Sequence, residues 1–217
     1  MAYTAPSDMH VPGDAGHTTD HNNIADIVTG VADGMIVFDG FLSTVTNPQA
    51  ATMARRNVTT VQTATGFATG VLAVTAIGLP LGMVVSSCTF QTGATAKSGG
   101  THGWYVLMDS NRNELAITAD QTDPATVWGA TNTPYTLNFA APILTTYGGV
   151  YYVGVMVAAA TTMPTFVGSA ASVAGAFAGA PIMGGTSDTG LTTPPAIPHQ
   201  FGAITAQGNC NFYVTLA

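Results

Sequence analysis

The sequence has few charged residues. Only 7% of its 217 residues are Asp, Glu, Lys or Arg, against about a quarter in a typical globular protein. Its bases number four, and they are Arg55, Arg56, Lys97 and Arg112. Proteins that bind nucleic acid neutralise phosphates with clustered basic side chains. The shortage of bases therefore excludes nucleic-acid binding.

Cysteine is also scarce, and its spacing argues against redox chemistry. Cys88 and Cys210 are the only two thiols. Neither belongs to a C-x-x-C pair, so the sequence has no redox motif and no zinc knuckle. Both lie in strand-like runs. We predict two buried free thiols, with a strand-to-strand disulfide as the alternative.

One long apolar run raises the question of a membrane span. Residues 66–85 are long enough to cross a bilayer and contain no charge. However, five helix-breaking residues interrupt the run, and no basic cluster flanks it. The breakers are Gly66, Gly70, Gly78, Pro80 and Gly82. We predict no membrane span, and instead two buried strands joined at residues 77–82.

The supply of catalytic groups is poor. Glu114 is the only Glu, and it flanks a loop together with Asp109, where turn chemistry explains both. Paired carboxylates for glycoside hydrolysis need a shared cleft. No G-x-S-x-G motif is present, and residues 93–98 lack the second glycine of a P-loop. We predict that the protein is not an enzyme and uses no cofactor. Among the hypotheses for its function, a hydrolase is the least favoured.

The acidic residues are unevenly distributed. Six of them precede residue 40, where no base occurs, so this part carries −6, while the remaining five acids and four bases give −1. The six are Asp8, Asp14, Asp20, Asp26, Asp33 and Asp39. The two parts are expected to have different functions. The first is either a solvated acidic arm or an arm that docks on a basic partner surface.

An amphipathic pattern follows the N-terminal arm. Residues 1–17 are rich in Pro and Gly and predict an extended arm. From Thr18 or Thr19, apolar residues recur at helical spacing: Ile24, Ile27, Val28, Val31 and Met35. A single short stripe weakened by two glycines needs a partner surface to stay folded. We assign residues 18–56 to a short helix and connector for attachment or oligomerisation.

His17 and His21 open this helix and allow two interpretations. With Asp20 they could hold a divalent metal on one helical face. A zinc site needs further ligands on a rigid frame, and none is evident. We favour a docking element without metal, in which His17, Asp20, His21, Ile24, Ile27, Val28 and Val31 are the candidate assembly contacts.

The sequence pattern of residues 57–217 predicts β-strands. Runs rich in β-branched and aromatic residues recur between Gly-, Pro- and Thr-rich connections: residues 57–63, 71–77, 83–90, 104–108, 114–118, 135–139, 150–157, 165–167 and 211–216. The loop 109–113 predicts a hairpin. Residues 150–157 predict a strand covered on both faces and 83–90 one covered on a single face. Together they predict a mainly β fold, a jelly-roll-like two-sheet β-sandwich. Residues 169–198 predict a long irregular loop.

Aromatic residues on these strands suggest a second role. Trp104, Trp128 and Tyr151 could stack against a sugar, although aromatic residues in a sheet are more often core. They are the candidate glycan contacts.

Two groups of motifs resemble structural proteins of tailed bacteriophages, especially those of actinobacteria. The first is PGDAGHTTDHNNIADI at residues 12–27; the second comprises residues 104–116, 118–122, 132–137 and 149–168. The resemblance covers roughly residues 12–40 and 66–168. It implies a virion component without catalytic residues: a head decoration or minor capsid protein, or a minor tail protein.

The implied partners follow from this resemblance. They are other copies of the chain, since such proteins are often trimers, and the major capsid protein or tail proteins. For the minor tail protein, a host surface glycan is a further partner. The implied location is the virion surface, after assembly in the host cytoplasm.

Overall fold

The computed structural model describes residues 50–52, 59–60, 68–122, 127–169 and 179–217. These residues contain twelve β-strands and no helix. The strands are β1 (Ala50–Ala51), β2 (Thr59–Thr60), β3 (Leu72–Leu79), β4 (Val84–Gln91), β5 (Ser98–Met108), β6 (Glu114–Ile117), β7 (Pro134–Leu144), β8 (Gly149–Thr162), β9 (Val167–Gly168), β10 (Gly184–Thr186), β11 (Thr205–Ala206) and β12 (Val214–Leu216). The predicted arm and helix within residues 1–49 lie outside the described residues.

The strands form two main antiparallel sheets. The four-stranded sheet has the order β1-β12-β4-β7, and the six-stranded sheet has the order β11-β10-β3-β8-β5-β6. A small third sheet pairs β2 with β9. The two main sheets pack face to face around a shared apolar core. The predicted mainly β, two-sheet sandwich is confirmed.

The strand order is that of a jelly roll. Eight strands carry the pattern, namely β1, β3, β4, β5, β6, β7, β8 and β12. Counted one to eight along the chain, they lie in the order one-eight-three-six in one sheet and two-seven-four-five in the other. Successive Greek-key connections produce this alternation. β10 and β11 extend the second sheet beyond β3.

The two strand types predicted from hydrophobic patterning are present. β8 lies between β3 and β5, and its residues 151–159 are buried on both faces. β4 alternates instead, with Val85, Cys88 and Phe90 buried and Val84 and Ser86 exposed. A bulge opposite β7 between Val85 and Ser87 shifts the phase. Both patterns are confirmed, because each reflects how many faces of the strand are covered.

The described part of the apolar run, residues 68–85, folds as predicted. Its two strands, β3 and β4, are joined by residues 80–83 but belong to different sheets. The connection therefore crosses from one layer of the sandwich to the other, with Gly82 at φ 78° in its turn. In the part of the chain that the structure describes, no helix is long and apolar enough to cross a membrane.

The hairpin around residues 109–113 is also confirmed. β5 and β6 pair antiparallel on either side of the loop. The Asp109 carboxylate accepts hydrogen bonds from the backbone N–H groups of Asn111 and Asn113, at 2.8 and 2.9 Å. It also accepts one from the Asn113 side-chain amide, at 2.8 Å. These bonds close the loop in the manner of an Asx-turn.

The core has two layers. Between the sheets lies an aromatic cluster whose rings contact one another: Phe90, Tyr105, Trp128, Phe166 and Phe212. The second layer lies on the outer face of the six-stranded sheet, where residues 187–204 cover Trp104 and its neighbours. The prediction of a wholly irregular segment at 169–198 is therefore wrong in part, since this segment contains β10.

Both thiols lie in the interior. Cys88 and Cys210 are buried and free, which confirms the predicted pair of free thiols over a disulfide. Burial raises the pKa of Cys210 to about 12 and the pKa of Cys88 well above its ordinary value. Each thiol therefore stays protonated and packs as a small apolar group.

Candidate functional site

The charged side chains of the described residues lie on or next to strands of the six-stranded sheet. Six charged side chains lie among the described residues, and each belongs to a strand of the six-stranded sheet or to a segment adjoining one. They are Lys97, Asp109, Arg112, Glu114, Asp120 and Asp188. The strands of the four-stranded sheet contain no Asp, Glu, Lys or Arg at all. The two sheets therefore present different surfaces.

The outer face of the four-stranded sheet carries polar side chains but no charged ones. Thr215, Thr89 and Thr136 lie side by side across β12, β4 and β7. The hydroxyl oxygens of Thr89 and Thr136 are 2.7 Å apart and share a hydrogen bond. Ser86 and Asn138 are exposed on the same two strands. This face offers hydrogen-bonding groups but no charge.

Three large apolar side chains are exposed at one end of this sheet, and we call them the apolar corner. Val84 and Leu144 are cross-strand partners at the start of β4 and the end of β7, and Leu81 lies in the preceding turn. Their exposed fractions are 52%, 59% and 57%. Contiguous exposed apolar groups often mark a contact surface. The sequence alone does not identify them, because Val84 and Leu144 are far apart along the chain.

The backbone at the apolar corner is held by Thr145. Its buried hydroxyl accepts a hydrogen bond from the N–H of Met83 at 2.8 Å and donates one to the carbonyl of Pro80 at 2.6 Å. Its carbonyl accepts from the N–H of Gly82 at 3.0 Å. One side chain thus ties the β3–β4 connection to the β7–β8 connection. These hydrogen bonds hold the backbone of the apolar corner in one conformation.

The direction of β1 relates the apolar corner to the N-terminal residues. Ala50 pairs with Leu216, which pairs with Cys88, and Ala51 in the same way is level with Thr89. β1 therefore runs in the same direction as β4. The chain consequently enters the four-stranded sheet from the end at which β4 begins, which is the end that carries the apolar corner.

The predicted assembly contacts lie outside the described residues. They are His17, Asp20, His21, Ile24, Ile27, Val28 and Val31. Their role, and the choice between a docking element and a metal site, remain predictions.

The predicted glycan contacts are core residues. Trp104, Trp128 and Tyr151 are at most 1% exposed. Each also uses its polar group inside the protein: Trp104 Nε1 donates to the Thr192 carbonyl, Trp128 Nε1 to the Tyr105 hydroxyl, and the Tyr151 hydroxyl to the Tyr147 carbonyl. A sugar cannot stack on a ring that the protein already covers. The prediction of glycan contacts at these three positions is wrong.

A partly buried pair not identified from the sequence joins β5 to the segment after β6. His102 Nδ1 lies 2.6 Å from Asp120 Oδ2, and Asp120 Oδ1 accepts a hydrogen bond from the Gly103 N–H at 3.0 Å. The Gln121 N–H donates to the Gly103 carbonyl. These contacts fix the segment that leaves β6. Among the described residues, no group of three or more His, Cys, Asp and Glu side chains could hold a metal.

Turn chemistry, expected from the sequence to explain both Asp109 and Glu114, accounts for Asp109 only; Glu114 lies elsewhere. It is buried at the start of β6, and neither carboxylate oxygen has a hydrogen-bond partner among the described residues. Its backbone N–H donates to the carbonyl of His199 at 2.8 Å. Burial raises its pKa from 4.5 to about 7. The carboxyl is therefore largely protonated in mildly acidic solution.

Comparison of the chain with models of protein families, with curated proteins and with solved structures found no match. The site is therefore interpreted from its own geometry. An uncharged face with a preorganised apolar corner is suited to contact with another protein.

Proposed function

We propose that the chain is a virion structural protein of a tailed bacteriophage. In this proposal it is a head decoration or minor capsid protein, which attaches through its N-terminal arm and helix and displays the β-sandwich on the particle surface. The resemblance at residues 12–27 supports a phage origin. Jelly rolls occur in viral capsid proteins but also in lectins and cupins, so the fold alone does not decide the function.

The difference between the two sheets is the observation that carries the proposal. β1 begins at the end of the four-stranded sheet that carries the apolar corner, and the attachment groups of this proposal precede β1 in the chain. The charged loop at Asp109–Asn113 and the segment 182–204 belong to the other sheet. A displayed domain needs such a division between an attached and a solvated side.

The N-terminal residues supply the attachment chemistry in this proposal. Their formal charge of −6 suits a basic surface on the capsid lattice. Ile24, Ile27, Val28 and Val31 supply an apolar stripe for neighbouring copies or for the major capsid protein. The proposal includes a homo-oligomer, a trimer, on the virion surface. It includes no catalytic step, metal or cofactor.

Locating the protein in the virion tests the proposal. We expect electron cryomicroscopy of the particle to show hundreds of copies on the head. We also expect Ile27→Asp to prevent incorporation, because it puts a charge into the apolar stripe. His17→Ala with His21→Ala should leave incorporation intact, with or without a chelator. Loss of assembly in the His variant alone, in a metal-dependent way, would contradict the docking interpretation.

The alternative proposal is a minor tail protein that binds host glycans. Its three candidate aromatic residues are buried, so it requires contacts elsewhere on the chain. A few copies at the tail tip, together with a strong hit on a glycan array, would favour it over decoration of the head. Turnover of a glycan or peptide would contradict both proposals.

A further inference from the structure

We propose that residues 199–201 form a pH-dependent latch over Glu114, which stays closed while the Glu114 carboxyl is protonated and opens when the carboxyl ionises. The latch consists of His199, Gln200 and Phe201. The inference goes beyond the proposed function and depends neither on the phage origin nor on the location in the virion.

The latch extends the six-stranded sheet beyond its last strand. β6 is the edge strand of that sheet, and the latch forms an antiparallel bridge with Asn113, directly before it. The Glu114 N–H donates a hydrogen bond to the His199 carbonyl at 2.8 Å, and the Phe201 N–H donates to the Arg112 carbonyl at 3.1 Å. Glu114 is therefore joined to the latch by its own backbone.

Few contacts hold the latch in place. Besides the two backbone hydrogen bonds, Arg112 Nε donates to the Phe201 carbonyl at 3.3 Å, and Gln200 Nε2 donates to the Asn111 carbonyl at 3.2 Å. Gln200 is exposed and His199 is half-buried, so only Phe201 is buried. A segment with so little buried apolar surface can open without unfolding of the whole domain.

Glu114 lies on the face that the latch covers. It is the cross-strand partner of Met108, which is in turn the partner of Tyr152. Both partners belong to the same apolar layer as Phe201, and direct partners across a ladder share a face. Glu114 is 6% exposed, and neither of its carboxylate oxygens has a hydrogen-bond partner among the described residues. The carboxyl is therefore enclosed but not bound.

The charged and titratable groups of the neighbouring elements have other contacts. They are Asp109 and Arg112 in the loop, His199 in the latch and Tyr152 in β8. The Asp109 carboxylate accepts hydrogen bonds within its own loop, and the His199 ring packs edge-on against the Phe201 ring. Burial raises the pKa of Tyr152, so that its hydroxyl stays neutral. None of these groups supplies a hydrogen bond to an ionised Glu114.

Ionisation of Glu114 therefore favours the open latch. A buried carboxylate without a partner is disfavoured relative to the protonated acid, and burial raises the pKa of Glu114 from 4.5 to about 7. In the open form water reaches the carboxyl, and its pKa returns towards 4.5. The closed form thus binds a proton that the open form releases, so opening increases as the pH rises from about 4.5 to about 7 and levels off above.

Hydrogen exchange of the full-length protein tests the inference. The amides of Glu114 and Phe201 report on the latch, and the amide of Val155, in the central strand β8, reports on global unfolding. After correction for intrinsic exchange rates, we expect the protection of the two latch amides to fall roughly 70-fold between pH 5 and pH 8. At each pH they should be less protected than Val155. Latch amides as protected as Val155 would overturn the inference.

Two variants separate Glu114 from other carboxyl groups. Glu114→Gln cannot ionise, so the protection of the latch amides should change by less than about threefold over the same pH range. Asp188→Asn is the matched control, because the Asp188 carboxylate already accepts a hydrogen bond from the Gly202 N–H at 3.0 Å, next to the latch. This variant should keep the wild-type pH response. A Glu114→Gln variant that keeps it as well would contradict the latch.

A measurement on the wild type alone complements the variants. Glu114 is the only Glu in the chain, so selective ¹³C labelling of Glu gives a single side-chain carboxyl signal. We expect this signal to titrate with a midpoint near pH 7. A midpoint near pH 4.5 would show that the closed latch does not exclude water from the carboxyl, and the inference would be wrong.

Discussion

Glu114 is a carboxyl group whose charged form the fold disfavours. Its carboxyl is buried without a hydrogen-bond partner in the described part of the chain, and its pKa is raised to about 7. The folded state therefore keeps a proton that the unfolded state releases above about pH 4.5. Stability is expected to fall as the pH rises through this window and to level off above about 7.

Glu114→Gln should remove this dependence. The neutral amide has the same shape and cannot ionise, so we expect the variant to be more stable than the wild type at pH 8 by about 2 kcal/mol. At pH 4.5 the difference should largely vanish. Urea unfolding of both proteins at pH 4.5, 6 and 8 measures it. A constant difference across this range would mean that Glu114 does not titrate as described.

Trp128 gives a second prediction at this scale. Its indole N–H donates to the Tyr105 hydroxyl at 2.7 Å, and Lys97 Nζ lies 5.0 Å from its ring centroid. Trp128→Phe should lower the free energy of unfolding by about 2 kcal/mol, since it removes a buried hydrogen bond and leaves a cavity. A double-mutant cycle with Tyr105→Phe should show coupling of about 1 kcal/mol. Strictly additive losses would argue against the bond.

Among the structural elements, the two connections at the apolar corner depend on one hydroxyl. Thr145→Val keeps the shape but leaves the N–H of Met83 without its acceptor. We expect a loss of about 2 kcal/mol in stability and faster hydrogen exchange at Met83. Thr146 is the exposed neighbour, and Thr146→Val is the matched control, for which both values should stay near wild type. Equal effects of the two substitutions would show that the loss of stability does not come from the hydrogen bonds of the Thr145 hydroxyl.

Strand prediction succeeded where the signal is local. The runs at 71–77, 83–90 and 150–157 lie within or close to β3, β4 and β8, because alternation or continuous apolar character records burial directly. β10 was missed, since Gly184 and Gly185 have little intrinsic preference for strands. Their place in the sheet is set by neighbours: a side chain on either would collide with the carbonyl oxygen of Cys210 or Thr205.

At the scale of the whole molecule, the two core layers should unfold together. Trp128 lies between the sheets and Trp104 lies beneath residues 187–204, and β8 contributes side chains to both layers. Single-tryptophan variants, Trp104→Phe and Trp128→Phe, report on the layers separately. We expect each variant's fluorescence and circular dichroism to give coincident urea transitions. An earlier fluorescence transition for Trp104 would show that the covering segment is an independent unit.

The sequence by itself determined the β class, the hairpin at 109–113, the two buried strands in the apolar run and the scarcity of charge. These properties follow from composition and short-range pattern, which need no knowledge of distant residues. Only the tertiary structure decided the strand order, the burial of Trp104, Trp128 and Tyr151, and the position of the described charged side chains on or next to the six-stranded sheet. It also brought Val84 beside Leu144, and His102 beside Asp120. Each of these features depends on contacts between residues far apart in the chain. A local sequence pattern does not specify which strands pair with one another.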